Sequence, residues 1–437
     1  MLLKNNTHKE LKTPVKRKRH YDVKIIFTLL FIYLMMTVNI ILPIRTSVTT
    51  NVDKNKFHTE LNHYHQLRHD AIYPAPSALA HPNATIYVQP IFGQHRPNKD
   101  AIFAFAEQYP VETYVQFLSF LTETGYKGDV VFSTSKIEKM KPNVKTYLRR
   151  QASSEQILKS GIAVIVYALD WTCFKKDGTP INNVNSGFSD CKTNLYGVES
   201  SDGSIEPIND PRVARPVATA RYELYWIWSI HYKPESRILL VDVRDTYFQL
   251  NPFHNVPKLS PSNVKKGNLY LFGENHNATS ISRSNYNRRW ITQAYGLEKM
   301  KKIADKMVIC SGATMGDANA IESYLRVMVK QFDDTKCKAT GCDQGFHNYI
   351  FYYDLLKDAN GIKDVIVFEQ GKGIVNNLAA MRTKPLREWG VLDNETNHVL
   401  NWDKTISPVV HQFDRDDELK KIMKFKVSKL MEDIKMW

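Results

Sequence analysis

The sequence lacks an arginine-rich block, an RNA-binding signature and any internal repeat. These absences argue against nucleic acid as a partner, although the formal net charge of the 437 residues is +14. Much of that charge is local, because residues 1–24 hold eight lysines and arginines against Glu10 and Asp22 and so contribute +6. The surplus on the rest of the chain is compatible with anionic nucleotide ligands. We therefore expect no direct binding to nucleic acid.

Charge is absent altogether from residues 25–44, a run of twenty residues. At a rise of about 1.5 Å per residue, a helix of this length spans a hydrocarbon core about 30 Å thick. Basic residues stand directly before the run, so the positive-inside rule keeps the N-terminus in the cytoplasm. A cleaved signal peptide is the alternative, but the run is overlong for one and lacks a small-residue cleavage site. We predict a cytoplasmic tail (1–24) and one transmembrane signal anchor (25–44), with the remainder in a lumen.

Cysteine is scarce as well: the chain has five, all on the predicted lumenal side, where disulfides can form. Of the possible pairings we choose the local ones, Cys173 with Cys191 and Cys337 with Cys342. Cys310 is then a buried free thiol inside an apolar strand, although an odd count also permits other pairings or a covalent dimer.

The chain also carries acceptor triplets for N-glycosylation. Three of them, at Asn83, Asn277 and Asn394, lie on the predicted lumenal side and fit exposure there. The triplet at Asn5 lies in the predicted cytoplasmic tail. It should remain unmodified if the predicted topology is right.

Residues 45–98 are polar and rich in histidine, and Pro74, Pro76 and Pro82 interrupt any continuous periodicity. This composition is typical of a stem that holds a domain away from a membrane. A metal cluster of His63, His65 and His69 is the alternative. No carboxylate or cysteine framework surrounds these histidines, so we favour a solvated stem.

From residue 99 to 437 the pattern indicates one α/β domain with a mainly parallel sheet, because apolar strand runs alternate with helical segments. A helix is predicted from about residue 111 to 121, and another, rich in large aromatic residues, around 222–228. The predicted strands are 101–105, 129–135, 162–169, 237–243, 269–272, 307–310 and 365–368.

The segment after Asp416 has helical periodicity, with lysines around one apolar face. We predict a helix that packs on the domain. A helix lying on a membrane surface is the alternative. The predicted apolar face consists of Leu419, Ile422, Met423, Val427, Leu430, Met431 and Ile434.

The strongest chemical signal is the run 237–253, in which the apolar strand RILLVDV continues into Asp242, Arg244 and Asp245. A buried strand that ends in carboxylates places fixed oxygens at the edge of the sheet where open α/β folds bind ligands. That arrangement suits a hard divalent cation held between carboxylates and nucleotide phosphates. The alternative is an ion-pair network that closes the strand, but unpartnered acids are costly after such an apolar run.

Three further clusters follow at wide spacing. The run 310–316 (CSGATMG) is interpreted as a strand-to-helix junction where a ligand approaches the backbone. Residues 341–348 (GCDQGFHN) place Asp343 before an apolar helical run, 349–356. The run HQFDR (411–415) brings a late imidazole, His411, which can complete a metal shell. Each cluster also has a structural reading: a turn, an N-cap and a surface histidine.

In the order DVRDTYFQLNPF, CSGATMG, DQGFHN and HQFDR, the sequence resembles eukaryotic type II membrane glycosyltransferases of the nucleotide-diphospho-sugar transferase superfamily, which have the GT-A fold. The resemblance covers about Ala101 to Arg415. It implies a GT-A-like, Rossmann-like mainly parallel sheet flanked by helices. It also implies that Asp242 and Asp245 bind metal, that His411 is a late metal or diphosphate contact, and that Asp343 is an acceptor-side acid or base.

The same resemblance implies a sugar-donor pocket. Its expected contacts are Arg244, Ser311, Gly312, Thr314, Gln344 and Arg415. The cofactor would be a divalent cation, with manganese expected and magnesium the alternative. One departure matters: the family's acidic motif is Asp-x-Asp, whereas here the acids are three positions apart, so which of the two binds metal is open.

The implied activity is transfer of a sugar from a nucleotide-diphosphate sugar to a glycan or glycoprotein, in the Golgi or endoplasmic reticulum membrane. A haloacid-dehalogenase-like phosphatase is the alternative enzyme, since its nucleophile motif is also an apolar strand ending in Asp followed by Asp and Thr. The spacing is one residue too long for it. A non-catalytic glycan-binding domain of the same fold is the second alternative.

Overall fold

The computed structural model describes residues 84–181, 189–259 and 265–435. The strands are β1 (Ala84–Ile86), β2 (Pro90–Phe92), β3 (Ala101–Phe105), β4 (Asp129–Ser135), β5 (Ala163–Leu169), β6 (Thr172–Phe174), β7 (Pro180–Ile181), β8 (Asp190–Lys192), β9 (Tyr196–Glu199), β10 (Ile205–Pro207), β11 (Arg237–Asp242), β12 (Thr246–Phe248), β13 (Gly267–Gly273), β14 (Ile309–Asp317), β15 (Ile362–Phe368), β16 (Val375–Asn377) and β17 (Val409–His411).

The helices are α1 (Val111–Glu123), α2 (Pro142–Gln151), α3 (Ser154–Ser160), α4 (Val217–Ser229), α5 (Asn285–Tyr295), α6 (Leu297–Lys302), α7 (Ala318–Thr335), α8 (Cys342–Tyr352) and α9 (Asp417–Lys435). Two short 3₁₀ turns cover Ala379–Met381 and Phe413–Arg415.

The centre of the fold is an eight-stranded mixed sheet with the order β15-β13-β14-β11-β3-β4-β5-β2. β14 and β2 run antiparallel to their neighbours, and the remaining strands share one direction. The predicted α/β class with a mainly parallel sheet is therefore confirmed. Three small three-stranded sheets accompany it, β1-β9-β10, β7-β6-β8 and β12-β17-β16.

Helices cover both faces of the main sheet. Along β3, Ala101 and Phe103 pack in one apolar layer with residues of α4, α7 and α8. Ile102 and Ala104 pack in the opposite layer with residues of α1 and α2. Burial on both faces explains why β3, β4 and β5 read as nearly continuous apolar runs rather than as alternating ones.

The strand predictions agree closely for β3 and β4, whose bounds match, and for β5, β11, β13 and β15 within one to three residues. The prediction for 307–310 was wrong in extent, because β14 begins at Ile309 and continues to Asp317. The run CSGATMG is thus the interior of a fully buried strand and not a strand-to-helix junction. Its small residues admit close neighbours: a Cβ at Gly316 would lie 2.7 Å from the carbonyl oxygen of Asn268.

The helix expected over 349–356 is also displaced. α8 begins at Cys342 and ends at Tyr352, so Asp343 lies in its first turn rather than before it. Acidic residues are favourable in the first turn of a helix, where backbone N–H groups lack partners.

The main sheet also recruits residues that the sequence assigned to the stem. β2, within 45–98, pairs antiparallel with β5 at the edge of the sheet. β1 pairs with β9. The folded part of the described chain therefore starts before residue 99. The histidines His63, His65 and His69 lie outside the described residues.

α9 packs on the domain, as predicted. Leu419 and Met423 are buried in an apolar cluster with Phe120 of α1. Leu430, Met431 and Ile434 contact the layer that α1 and α2 cover. The alternative of a helix lying on a membrane surface is not needed to explain this apolar face.

Both predicted disulfides are present. Cys173–Cys191 joins opposed positions of β6 and β8, and Cys337–Cys342 links the segment after α7 to the start of α8. Cys310 is a buried free thiol on β14, again as predicted. Among the described residues no helix is both long and apolar enough to cross a membrane. The predicted anchor, 25–44, lies outside them.

Candidate functional site

Asp242 and Asp245 follow the most central part of the sheet. Asp242 is the last residue of β11, which lies between β3 and β14, and Asp245 comes directly before β12. The apolar strand residues before Asp242 are buried on both faces, so the chain emerges at a fixed point at the carboxyl end of the strand. That edge is where open α/β sheets bind their ligands.

His411 reaches the two acids through the small sheet. β17 pairs antiparallel with β12 so that His411 stands opposite Thr246. The backbone N–H of Gln412 donates to the carbonyl oxygen of Asp245 at 2.7 Å. Strand pairing therefore brings together the acids and the late imidazole, which the sequence predicted as one metal shell.

Asp242, Asp245 and His411 form a group whose ligand atoms all lie within 4.8 Å of one another. His411 Nε2 is 3.8 Å from Asp242 Oδ2 and 3.8 Å from Asp245 Oδ1. This nitrogen is buried and has no hydrogen-bond partner. Two carboxylates and an imidazole are ligands for a divalent cation, and an imidazole suits manganese better than magnesium. The residues therefore fit a metal ion.

Gly312 lies against this group. A Cβ built at Gly312 would stand 2.4 Å from His411 Cε1, 2.7 Å from His411 Nε2 and 2.9 Å from Asp242 Oδ2. These distances are shorter than non-bonded atoms tolerate. The absence of a side chain at this point of β14 thus gives His411 and Asp242 their positions.

The charges of the group are strongly coupled. Burial alone would raise the pKa of Asp242, but Arg221 and His411 hold it below its ordinary value. Burial raises the pKa of Asp245, which His411 only partly offsets. Burial alone would lower the pKa of His411, but Cys310 and both carboxylates raise it well above its usual value. The two carboxylates therefore favour a positive charge beside His411 Nε2, and a bound cation would supply that charge in place of a proton.

Arg221, on α4, connects this group to Asp343. Its guanidinium donates to Asp242 Oδ1 and, at 3.3 Å, to Asp343 Oδ2. The Arg221 side chain is 12% exposed, so both ion pairs are shielded from solvent. Asp242 keeps 34% of its side chain exposed and forms the open side of the group.

Asp343 is buried at the start of α8. Besides Arg221 it accepts a hydrogen bond from the Ser311 hydroxyl at 3.3 Å. Burial raises its pKa, and Arg221 acts in the opposite direction. Gln344 clamps α8 to β14: it accepts from the Ser311 N–H at 2.6 Å and donates to the Ile309 carbonyl at 2.9 Å.

Arg244 and Arg415 lie on the other side of Asp245. Arg244 Nη2 is 3.4 Å and Arg415 Nη2 is 3.8 Å from Asp245 Oδ2. Their side chains are 55% and 29% exposed, so each offers N–H groups to solvent or to an anionic ligand. Thr314 has the most deeply buried side chain of the predicted donor contacts, because it lies inside β14, opposite Leu240 and two residues beyond Gly312.

Four residues near the group were not predicted from the sequence: Arg221, Glu274, Asn377 and Arg382. Glu274 follows β13, and burial raises its pKa to about 7, with His411 and Arg382 acting in the opposite direction. Arg382 lines a cavity of about 520 Å³ together with Arg415. The signal for Arg221 was its place within a helix rich in aromatic residues. The signal for Glu274 was its place after a second apolar strand.

No family model and no curated protein matches the chain. One similar solved structure is a galactosyltransferase, LgtC, crystallised with donor and acceptor sugar analogues. It shares 12% sequence identity, the match covers 71% of this chain and 86% of that one, and the TM-score is 0.35.

Proposed function

We propose that this protein is a metal-dependent glycosyltransferase that moves a sugar from a nucleotide-diphosphate sugar to a glycan or glycoprotein. One observation carries the proposal: Asp242, Asp245 and His411 lie within 4.8 Å of one another where β11 leaves an open α/β sheet. The resemblance of the surrounding motifs to nucleotide-sugar transferases selects this reaction among the many that a metal site can support.

In this proposal the three residues hold a divalent cation, manganese by the choice of ligands. When bound, the cation stabilises the negative charge that grows on the departing nucleotide diphosphate. Arg244 and Arg415 contribute further N–H donors beside Asp245 and bind the same diphosphate. Arg221 holds one oxygen of Asp242, which leaves the second oxygen directed at His411.

The acceptor side of the proposal rests on Asp343. It is joined to Asp242 through Arg221, so the two acids face one guanidinium from two elements of the fold. Deprotonating the acceptor hydroxyl is the role we assign to Asp343 if the reaction inverts the anomeric centre. Ser311 orients its carboxylate by donating to Oδ2.

The phosphatase alternative fits these contacts less well. Its nucleophile would be Asp242, but Arg221 pairs with one carboxylate oxygen, and His411 faces the other at 3.8 Å. Arg221 therefore restricts the rotation that would turn the carboxylate toward a phosphorus atom, and the second oxygen faces the same space as His411 Nε2, where a cation would lie. A glycan-binding domain without activity has no specific contact in its favour, and the same experiment decides it.

The experiment measures release and transfer of sugar from a panel of nucleotide sugars by the purified protein, with manganese and with a chelator. We expect manganese-dependent turnover of at least one donor. The variant Asp242→Ala/Asp245→Ala should lose about 10²- to 10³-fold, which is 3 to 4 kcal/mol of transition-state stabilisation. His411→Ala should weaken metal binding less.

The matched control is Asp364→Ala, which removes an exposed acid of β15 paired with Lys363. It should leave turnover unchanged. Activity that survives both chelation and the folded double variant would overturn the metal assignment, and Arg244 or Arg415 would then be the main partner of the diphosphate. No turnover of any donor by a well-folded protein would favour the glycan-binding alternative.

Topology and location belong to the same proposal: a single-pass type II protein of the Golgi or endoplasmic reticulum membrane with the catalytic domain in the lumen. Asn277 and Asn394 are exposed, as acceptors must be. Mass spectrometry of protein from eukaryotic cells should find glycans there or at Asn83, and none at Asn5. A glycan on Asn5, or a mature N-terminus beyond Ile44, would disprove the topology.

A further inference from the structure

His411 makes its second contact on the side away from the acids. Its Nδ1 lies 2.8 Å from Asn377 Oδ1. The register of the small sheet produces this contact, because β16 pairs parallel with β17 and sets Asn377 directly beside His411. Asn377 is fully buried, so no solvent competes for its amide.

The orientation of the Asn377 amide follows from its other partners. Nδ2 donates to the carbonyl oxygens of Phe272 and Gly273, at 3.1 and 3.2 Å. Turning the amide over would set its oxygen against two carbonyl oxygens, and both would lose a donor. Backbone carbonyls only accept, so the NH₂ group must face them and Oδ1 must face His411.

The protonation of His411 follows in turn. An amide oxygen only accepts, so Nδ1 must carry the hydrogen that lies between it and Asn377. The Cys310 sulfur is also near Nδ1 but is more distant, at 3.7 Å. In a neutral imidazole the other nitrogen, Nε2, then has the free lone pair. Nε2 is the buried atom without a partner that faces Asp242 and Asp245 at 3.8 Å.

We propose that Asn377 is a positioning residue that keeps the hydrogen of His411 on Nδ1, so that Nε2 presents its lone pair to a divalent cation between Asp242 and Asp245. This inference rests on the proposed metal site. Hydrogen bonds of this kind to the second nitrogen of a metal-binding histidine fix both its tautomer and its ring orientation. The hydrogen bonds from Asn377 Nδ2 to the carbonyl oxygens of Phe272 and Gly273 also connect the small sheet to the end of β13. The main sheet therefore helps to fix the position of the imidazole.

The test measures manganese affinity by electron paramagnetic resonance of the free ion, which needs no turnover. Asn377→Leu should bind manganese about 10- to 100-fold more weakly than the wild type. Asn377→Asp keeps an acceptor for Nδ1–H but loses the donors to both carbonyls. It should therefore be less stable and yet retain most of the affinity.

Asn376→Leu is the matched control. Asn376 is the neighbouring residue of β16, is equally buried, and bonds to Gln370, the Leu400 carbonyl and Ser407 instead. Asn376→Leu should be destabilised about as much as Asn377→Leu, but its affinity for manganese should equal that of the wild type. Equal loss of affinity in Asn376→Leu and Asn377→Leu would show a general packing effect and overturn the inference.

A second measurement uses the wild-type protein, so it does not depend on whether a variant folds. In ¹⁵N-histidine-labelled protein loaded with magnesium, long-range ¹⁵N–¹H spectra should show the His411 hydrogen on Nδ1. A hydrogen on Nε2 would overturn the role of Asn377. If the wild type binds manganese and Asn377→Leu binds it equally well, only this inference fails. If the wild type binds none, the proposed metal site fails first.

Discussion

Arg221 Nη2 lies 3.3 Å from Asp343 Oδ2, and the same guanidinium contacts Asp242. One cation therefore serves two acids that belong to different elements, the end of β11 and the first turn of α8. Because the arginine side chain is 12% exposed, removing it would leave charge in the interior without a partner. A buried charge that loses its partner is far more costly than an exposed one.

Arg221→Met should lower the free energy of unfolding by about 3 to 5 kcal/mol at pH 7, the usual cost of breaking a buried ion pair on one side. Adding Asp343→Asn removes one of the stranded charges, so the double variant should be more stable than the sum of the two single changes predicts. Urea unfolding followed by tryptophan fluorescence measures all three. Arg326→Met, which breaks a pair with Glu322 inside α7, is the control and should add to Asp343→Asn without coupling. If the changes in the free energy of unfolding caused by Arg221→Met and Asp343→Asn were simply additive, the ion pair between these two residues would be contradicted.

Asp343→Asn should reduce transfer about 10²- to 10⁴-fold, the range for a lost general base, while affinity for the nucleotide sugar stays nearly unchanged. The amide can still accept from Ser311 but cannot take up a proton. Steady-state rates and donor binding by calorimetry separate the two effects. Asp317→Asn, a change at another buried acid that caps the backbone of Asn268, should affect neither. Parallel loss of donor binding would mark Asp343 as a donor-side or structural residue.

Gly312→Ala should impair the site without altering any predicted ligand of the metal. The new methyl group would stand 2.4 Å from His411 Cε1 and 2.9 Å from Asp242 Oδ2, so one or both must move. A displacement of about 1 Å in a catalytic group can cost about 10²-fold in rate. Manganese affinity and transfer rate should fall together.

Gly273→Ala is the control for Gly312→Ala. Its methyl group would meet the side chain of Met307 at 2.5 Å, and a flexible thioether can move aside. Affinity and rate should stay close to those of the wild type. Unchanged manganese affinity in Gly312→Ala would contradict the position of Gly312 against the ligands.

We expect the stability of the folded protein to depend on pH because of Glu107. It is fully buried, and burial raises its pKa to about 8, although the Ser135 hydroxyl and the Trp171 N–H donate to it at 2.9 and 3.2 Å. The folded protein therefore keeps a proton that the unfolded chain has lost above about pH 4.5. More protons bound in the folded state mean that stability falls as pH rises through this window, by about 1.4 kcal/mol per pH unit, and levels off above pH 8.

Glu107→Gln removes this titration. The difference in melting temperature between Glu107→Gln and the wild type should therefore grow in favour of the variant from pH 5 to about pH 8 and then stay constant. Taking the difference cancels the other groups that titrate in the same range. A difference that does not change with pH would show that Glu107 is ionised in the folded protein.

The cluster of Asp242, Asp245 and His411 was predictable because each of its residues stands in a recognisable sequence pattern. Asp242 and Asp245 end an apolar strand, and His411 stands in a short polar run after one. Arg221 and Asn377 have no such signal: the first lies among aromatic residues of α4 and the second in a short strand, and their importance comes from which strands and helices pack together. Local sequence encodes strands and caps, whereas contacts between distant elements follow from tertiary packing.

The prediction from sequence was wrong for most of β14, because tertiary structure determines this strand. Its glycines, its alanine and its last residue, an aspartate, have low preference for strands, so the sequence favoured a strand-to-helix junction. The strand forms because β11 and β13 pair with it on both sides, and the small residues are needed where His411 and the Asn268 backbone approach. Tertiary pairing here outweighs the local preference of the residues.

The ligands of the proposed cation come from β11, in the middle of the folded chain, and from β17, which is synthesised much later. A ribosome that has synthesised the chain through Asp245 has made most of the parallel half of the sheet but no imidazole for the site. β17 can pair with β12 only after His411 has been synthesised. Asn377, which contacts His411 in the folded protein, has been synthesised by then. The nascent protein therefore cannot acquire a complete cation site, and with it the proposed activity, until the sheet that supports that site has been made.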